Sequence, residues 1–231
     1  MRYKCLVFDH DDTVVNSTAT IHHPCFEQYL RLRYPGRHCT LEEYFLKNFD
    51  PGFMQMCQNE YGMDDAALQD ETEFWKKYVA QHIPSAYPGM NELMCRHKAE
   101  GGYICVVSHS FDENIRLLEA EFQVQAVNRG GEIVVSGEPE NVMLAVKAVQ
   151  ALLTLSGKGE NITDQRRLGL APEELLMIDD LKPGFDMAHS CGVDFAAAGW
   201  AYDVPQIEDF MRRNSDFYFK TVQELADFLG E

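Results

Sequence analysis

Short, almost continuous apolar runs alternate with amphipathic segments over much of the chain. The runs Tyr3 to Phe8, Tyr103 to Val107 and Glu174 to Asp180 are mainly apolar and give way to polar residues. Runs of this kind are typical of strands that are buried on both faces of a sheet. The segment DFAAAG predicts a further strand, and EIVVS predicts one beside a hairpin at Gly130-Gly131.

Amphipathic helices separate these strands. The helical segments are MNELMCRHKA, FDENIRLLEAEF, ENVMLAVKAVQALL, PGFDMAHSCG and VQELADFL. Alternation of strands and helices predicts an α/β fold with a parallel sheet and right-handed crossovers. Ligands bind such sheets at the carboxyl ends of the strands. The residues that follow each strand are therefore the first candidates for a functional site.

Residues 17–86 have a different pattern. Aromatic, Leu and Met residues recur at helical spacing in FEQYLRLRY, LEEYFLKNF, FMQMCQNEY and ETEFWKKYVAQHI, with Pro and Gly between these segments. The pattern predicts four helices and no strand, with the aromatic stripes packed in a core. We therefore expect an α/β core domain formed by residues 1–16 and 87–231, interrupted by a helical domain formed by residues 17–86.

Composition narrows the choice of partners and compartment. The chain of 231 residues is 45% hydrophobic, and its 37 acidic residues exceed its 20 Lys and Arg residues, for a net charge of -17. Such a charge repels nucleic acid and anionic membrane surfaces, so neither is an expected partner. No apolar run approaches the roughly 20 residues of a membrane span. The 7 Cys residues include no CxxC pair, which favours reduced thiols and a cytoplasmic location.

Carboxylates follow two of the predicted strands. Asp9, Asp11 and Asp12 come after the first strand, and Asp179 and Asp180 end a later one. In an extended segment, Asp9 and Asp11 project from the same face. Helix capping explains one acid at each strand end but not several. If the sheet brings these ends together, the oxygen ligands would suit a hard cation such as Mg²⁺.

The segments FDHDDT, VVSHS and MIDDLKPGFDMA resemble, in order, the first, second and fourth motifs of the haloacid dehalogenase superfamily. The similarity extends to YPGMNELM and to the ending SDFYFKTVQELADFL. This resemblance implies a Rossmann-like, doubly wound parallel sheet with an inserted α-helical cap domain. The cap resembles that of phosphatases related to phosphoglycolate phosphatase and β-phosphoglucomutase.

The resemblance also implies roles for individual residues. Asp9 would be the nucleophile that forms an aspartyl phosphate, and Asp11 would be the general acid and base. The implied phosphate-binding residues are Thr13, Ser108 and His109. The implied Mg²⁺ ligands are Asp9, Asp11 through its backbone carbonyl, Asp180, and Asp179 as a direct ligand or as a neighbour of the ligands.

This chain departs from the usual pattern of the superfamily at the third motif. That motif supplies a Lys that neutralises the phosphate, but SGEPENVMLAV places Glu138 at this position. Lys147, further along the same predicted helix, is our candidate catalytic replacement. Lys158 and Lys182 are weaker candidates. Asp12 also differs, because the superfamily most often has Gly there.

These observations predict a Mg²⁺-dependent phosphatase that acts on a small phosphorylated metabolite as a monomer or homodimer. A phosphomutase of the same superfamily is one alternative. Because of Glu138, a non-catalytic metabolite-binding protein that retains the fold is another. The cap is expected to set specificity. Its polar candidates are His22, His23, Arg31, Arg33, Arg37 and His38.

Overall fold

A parallel five-stranded sheet forms the centre of the molecule. The computed structural model describes residues 2–106, 125–129, 132–136 and 170–230. The strands of the sheet are Cys5–Phe8 (β1), Tyr103–Val106 (β4), Leu175–Asp179 (β7), Asp194–Ala198 (β8) and Phe217–Phe219 (β9). They lie side by side in the order β4-β1-β7-β8-β9. The predicted α/β, Rossmann-like fold is confirmed.

Alternate residues of the strands face opposite sides of the sheet, and both sides are buried. On one side lie Cys5, Val7, Leu175, Met177, Phe195 and Ala197. On the other side lie Leu6, Phe8, Leu176, Ile178, Ala196 and Ala198. Burial on both faces explains why these strands are continuous apolar runs and do not alternate with polar residues.

Helices cover the sheet and form the insertion. Their bounds are His23–Arg33 (α1), Leu41–Phe49 (α2), Phe53–Tyr61 (α3), Asp65–Val79 (α4), Met90–Ala99 (α5), Lys182–Cys191 (α6), Pro205–Asn214 (α7) and Val222–Gly230 (α8). The four helices predicted between the first two strands are present as α1 to α4. The division into a core of residues 1–16 and 87–231 and a cap of residues 17–86 stays a prediction.

The expectation of no strand in the insertion is wrong at its end. Val15–Asn16 (β2) and Ser85–Ala86 (β3) form a two-stranded antiparallel ribbon, in which Val15 is paired with Ala86. Both chain crossings between the sheet and the inserted helices pass through this ribbon. A strand of two residues is too short to produce a recognisable alternation of apolar and polar positions.

The inserted helices have a core of their own and also contact the sheet domain. Phe26, Tyr29 and Leu30 of α1 belong to their buried cluster. From α2, Phe45 packs against Tyr202 with ring centroids 5.5 Å apart, and Phe49 contacts Phe210 of α7. Helix α2 therefore joins the inserted helices to the sheet domain.

Other sequence predictions have mixed outcomes. Strands Gln125–Arg129 (β5) and Glu132–Ser136 (β6) form the predicted antiparallel pair. Helix α7 and strand β9 were not predicted individually. The predicted helices FDENIRLLEAEF and ENVMLAVKAVQALL lie outside the described residues. No helix in the described ranges is long and apolar enough to span a membrane.

Candidate active site

Three carboxylates meet at the carboxyl ends of the neighbouring strands β1 and β7. Asp9 follows β1, Asp179 ends β7, and Asp180 comes next. Each offers an oxygen atom, and these oxygen atoms lie within 4.8 Å of one another. Asp179 and Asp180 are buried. The parallel pairing of β1 with β7, which sets Phe8 beside Ile178, brings the acids together.

This arrangement is electrostatically unfavourable without a cation. Burial and then the charges of Asp179 and Asp180 raise the pKa of Asp9 well above its ordinary value. Burial also raises the pKa of Asp179 to about 7 and the pKa of Asp180 well above its ordinary range. A divalent cation would offset this repulsion, and three carboxylate oxygens are ligands that suit Mg²⁺. The donor set therefore fits the metal that the sequence predicts.

Packing holds Asp179 and Asp180 in place. The backbone N–H of Leu181 donates a hydrogen bond of 2.8 Å to Asp179 Oδ1. A Cβ on Gly184 would lie 2.0 Å from Asp179 Oδ2, so glycine leaves the space that this carboxylate fills. The hydroxyl of Tyr202 donates to the backbone carbonyl of Asp180. Residues outside the acidic cluster thus set the positions of both acids.

Thr13 also contacts this cluster. Its hydroxyl is buried and donates a hydrogen bond of 3.3 Å to Asp180 Oδ1. Its backbone carbonyl accepts a 3.0 Å hydrogen bond from the indole N–H of Trp200. The predicted phosphate-binding residue therefore lies beside a predicted metal ligand.

Asp12 shapes the turn between β1 and the insertion. Its φ of 57° lies in the left-handed region, which explains why glycine is usual at this position in the superfamily. Its side chain accepts hydrogen bonds of 3.2 Å and 3.0 Å from the backbone N–H groups of Ser17 and Thr18. These N–H groups lie at the start of a π-helical turn, Thr18–His22. Asp12 therefore has a structural role that explains its presence among the carboxylates.

The π-helical turn precedes α1 and includes His22, which contacts Asp11. His22 Nε2 lies 3.1 Å from Asp11 Oδ1, and His22 Nδ1 accepts a 2.9 Å hydrogen bond from the indole N–H of Trp75. Trp75 belongs to α4. A row of three side chains thus connects an inserted helix to the predicted general acid and base.

These hydrogen bonds determine which nitrogen of His22 carries a proton. The indole N–H of Trp75 can only donate, so Nδ1 must accept and Nε2–H donates to Asp11. Burial acts to lower the pKa of His22, but the charge of Asp11 and its hydrogen bond outweigh burial and raise the pKa above its ordinary value. A second proton would have to occupy the nitrogen that faces the indole N–H. We therefore assign neutral His22, on the basis of the hydrogen bonds.

Asp11 is stabilised as a carboxylate. Burial acts to raise its pKa, but the charge of His22 and hydrogen bonds from His10 and His22 bring the pKa well below the ordinary value. His10 Nδ1 is 3.5 Å from Asp11 Oδ1, too long for a good hydrogen bond, so we assign the effect mainly to His22. With His22 neutral, its N–H still favours ionised Asp11, although less than a full charge would.

A cavity of about 620 Å³ lies over the carboxylates. Asp9, Asp11 and Asp180 line one part of it, and Glu71 and Trp75 of α4 line another. The other lining residues are Asp12, Thr18, His22, Tyr44, Asn48, Gly52, Phe53, Met54, Gln55, Thr72, Asp179, Leu181, Pro183, Gly184 and Met187. Neither Lys nor Arg is among the described residues that line it. The cavity is therefore bounded by both the sheet and the inserted helices.

Several predicted site residues lie outside the described part of the chain. They are Ser108, His109, Glu138, Lys147 and Lys158. Lys182 is described, and it pairs with Asp186 at 3.1 Å within α6. This contact gives no support to Lys182 as a replacement for the third-motif Lys.

Of the six polar candidates predicted in the cap, His22 lines the cavity. His23 Nε2 is 2.8 Å from the Cys39 carbonyl, and Arg33 pairs with Asp70. Arg37 donates to the Glu60 carbonyl. Arg31 and His38 are exposed. Sequence alone could not select His22, because this requires the path of the π-helical turn.

Two residues that line the cavity, Glu71 and Trp75, were not predicted from the sequence. Both belong to an amphipathic helical segment, where a Trp is expected to pack in a core and a Glu to face solvent. Glu71 instead is 4% exposed and lines the cavity. Glu71 stands three and four positions before Phe74 and Trp75, a helical spacing that the exposed Glu73 lacks, and this spacing is the sequence signal that could have found it.

A family model described as haloacid dehalogenase-like hydrolase matches residues 6–164. This match spans the first-motif carboxylates, the inserted helices and more than half of the chain. The chain belongs to the haloacid dehalogenase-like hydrolase family. The family resemblance drawn from the sequence motifs is confirmed, and the chain is placed in a family of enzymes. No curated protein matches the chain.

Several solved structures share the fold of this chain. A predicted phosphatase from Clostridium acetobutylicum superposes with a TM-score of 0.69 at 14% identity, covering 99% of each chain. A predicted phosphoglycolate phosphatase from Haemophilus somnus gives 0.66 at 17%, covering 100% of this chain and 98% of that one. A family hydrolase from Deinococcus radiodurans, solved with bound phosphate and sodium, gives 0.61 at 16%, covering 99% and 96%. At such low sequence identities, the similarity to these structures shows a shared fold and nothing about substrate.

Proposed function

We propose that this haloacid dehalogenase-like hydrolase is a Mg²⁺-dependent phosphatase that acts on a small phosphorylated metabolite. The observation that carries the proposal is the convergence of Asp9, Asp179 and Asp180 in one cavity with Asp11. A nucleophile, an acid and base, and a set of oxygen ligands are the groups that hydrolysis through an aspartyl phosphate requires. Two structures of similar fold that are described as predicted phosphatases are consistent with this choice.

In the first step, a carboxylate oxygen of Asp9 attacks phosphorus. The bond between phosphorus and the leaving oxygen breaks, and Asp11 passes to that oxygen a proton that it takes up from the monoprotonated phosphate ester as the ester binds. The product alcohol leaves, and Asp9 carries the phosphoryl group. Thr13, and Ser108 and His109 outside the described residues, would donate hydrogen bonds to the phosphoryl oxygens.

In the second step, Asp11 is a carboxylate and takes a proton from water. The water oxygen attacks phosphorus, the bond to Asp9 breaks, and inorganic phosphate is released. The N–H of His22 keeps the Asp11 carboxylate oriented for this step. Asp9, Asp179 and Asp180 would hold Mg²⁺, which offsets negative charge on the nucleophile and the phosphoryl group.

An aryl phosphate assay with Asp9→Asn tests the proposal. We expect wild-type protein to hydrolyse p-nitrophenyl phosphate in Mg²⁺ and to lose this activity in EDTA. Asp9→Asn should lower kcat by a factor of about 10³ or more, since the nucleophile is removed. Asp186→Asn is the control, because this exposed carboxylate pairs with Lys182 and is not among the residues that line the cavity.

Circular dichroism should show that both variants are folded. Full turnover by folded Asp9→Asn would contradict the mechanism. Dependence of the wild-type reaction on a sugar bisphosphate would favour the phosphomutase alternative. Binding of Mg²⁺ without hydrolysis of any phosphoester would favour the non-catalytic alternative.

A further inference from the structure

The wall of the cavity that the inserted helices form combines aromatic rings with a carboxylate. Tyr44 of α2, Phe53 of α3 and Trp75 of α4 line it, and the Tyr44 and Phe53 rings are 5.8 Å apart. Glu71 lies one helical turn before Trp75 on α4. No Lys or Arg from the described residues faces this space. Aromatic rings beside a carboxylate are groups that bind organic cations.

Glu71 lacks the partners that a buried carboxylate normally has. Its side chain is 4% exposed, and no described residue donates a hydrogen bond to it. The nearby ionisable groups that respond to its charge are His22 and, in the core of the insertion, Cys25, Tyr29, Tyr44 and Cys57. With His22 assigned as neutral, none of these five supplies a full positive charge. A buried carboxylate without a cation or hydrogen bonds is energetically costly.

The pKa of Glu71 is raised, as expected for a buried carboxylate without a partner. Burial raises the pKa of Glu71 to about 7, and the charge of His22 opposes this effect. Because we assign His22 as neutral, it lowers the pKa of Glu71 less than a charged His22 would. A cationic group held against the carboxylate would lower this pKa and keep Glu71 ionised.

We infer that the alcohol part of the substrate carries a protonated amine, which binds at Glu71 between the rings of Tyr44, Phe53 and Trp75. The inference rests on the proposed phosphatase function, because Asp9 and Glu71 line the same cavity. The phosphate would lie at the carboxylate cluster and the ammonium at the opposite wall. Mg²⁺ would then offset the negative charge of the protein at one end of the cavity, and the ammonium of the substrate would offset it at the other.

The same geometry disfavours a phosphorylated acid. A carboxylate on the leaving group would face Glu71, and no described residue lining the cavity supplies a Lys or Arg to bind it. Phosphoglycolate, the substrate named for the Haemophilus somnus structure, carries such a carboxylate. The wall that includes Glu71 therefore predicts a different substrate class for this chain.

Three phosphomonoesters of nearly equal size test the inference: ethanolamine phosphate, propyl phosphate and phosphoglycolate. They carry a positive, a neutral and a negative group at the same end. We expect wild-type kcat/KM to be at least about tenfold higher for ethanolamine phosphate than for propyl phosphate, and lowest for phosphoglycolate. This comparison needs no variant, so it remains decisive if a substitution prevents folding.

Glu71→Gln identifies the residue responsible. It should lower kcat/KM for ethanolamine phosphate about tenfold and leave propyl phosphate within about twofold, because the neutral ester makes no use of the charge. Turnover of phosphoglycolate should rise. Glu73→Gln is the matched control, since Glu73 is exposed on the same helix and pairs with Lys76. It should leave all three values unchanged.

The results separate this inference from the proposed function. If p-nitrophenyl phosphate is hydrolysed but ethanolamine phosphate has no advantage over propyl phosphate, the ammonium site is refuted and the phosphatase stands. Equal losses for all three esters in Glu71→Gln would show a role in folding alone and would also refute it. If no phosphoester is hydrolysed, the proposed function fails and this inference fails with it.

Discussion

Replacement of Asp179 by Asn should stabilise the metal-free protein at pH 8 and have little effect at pH 4. Asp179 is buried beside Asp9 and Asp180, and burial raises its pKa from 3.8 to about 7. Asn has nearly the same shape, and its oxygen can still accept the hydrogen bond from the Leu181 N–H. The substitution therefore removes a charge while preserving the packing against Gly184.

The direction in which stability changes with pH follows from proton binding to Asp179. A carboxyl group whose pKa is higher in the folded state binds more protons when folded, so stability falls as pH rises from about 4 to about 7. A difference of about 3 pKa units corresponds to about 4 kcal/mol once Asp179 is ionised in both states. An amide at this position does not ionise and avoids the cost. We expect Asp179→Asn to raise the free energy of unfolding at pH 8 by about 4 kcal/mol.

Urea unfolding in EDTA at pH 4, 6 and 8 measures this difference. Saturating Mg²⁺ should narrow it at pH 8, because the wild type would bind the ion with all three carboxylates and the variant with two. Mg²⁺ at a concentration of 100 times its Kd raises the free energy of unfolding by about 2.7 kcal/mol. Asp186→Asn is the control, since its carboxylate is exposed and should show no comparable dependence on pH.

Two results would refute this reasoning. In the first, Asp179→Asn is no more stable than the wild type at pH 8 in EDTA. This result would mean that the buried charge of Asp179 does not destabilise the folded protein. In the second, the gain in stability is equal at all three pH values, because packing rather than ionisation is then responsible.

Substitutions at two further residues, Asp12 and His22, test the elements around Asp11. Asp12→Ala removes the acceptor for the Ser17 and Thr18 N–H groups and keeps a left-handed φ, so it should destabilise the protein by about 2 kcal/mol. Asp12→Asn should cost less than about half of that in urea unfolding, and equal losses would contradict the capping role. His22→Phe keeps a ring beside Trp75 but removes the hydrogen bond to Asp11, so steady-state assays should show kcat reduced about tenfold with KM within about twofold. An unchanged kcat would exclude His22 from positioning Asp11.

The sequence predicted the parts of the fold that depend on local pattern. Strands β1 and β7 are apolar runs that end at acids, and helices α2 and α3 coincide with the predicted segments. Helix α4 starts before its predicted segment, at Asp65, since Asp64 accepts a hydrogen bond from the Ala67 N–H and caps the helix there. This capping signal was present in the sequence.

The candidate site was predictable only where it follows strand ends. Asp9, Asp179 and Asp180 meet because parallel strands bring their carboxyl ends to one edge. The positions of His22 and Glu71 depend on how the π-helical turn and α4 pack over that edge. Contacts between elements so distant in sequence leave no periodic signal in a single chain.

The contact between Phe45 and Tyr202 has a consequence for movement. Phe45 of α2 packs on the Tyr202 ring, and the hydroxyl of the same ring donates to the Asp180 carbonyl. If α2 moved away from the sheet domain, Tyr202 would lose its covering and would hold Asp180 less firmly. If the cavity opens in this way to release product, the same movement would loosen Asp180, a predicted metal ligand, and the proposed product release and metal retention would then share one aromatic contact.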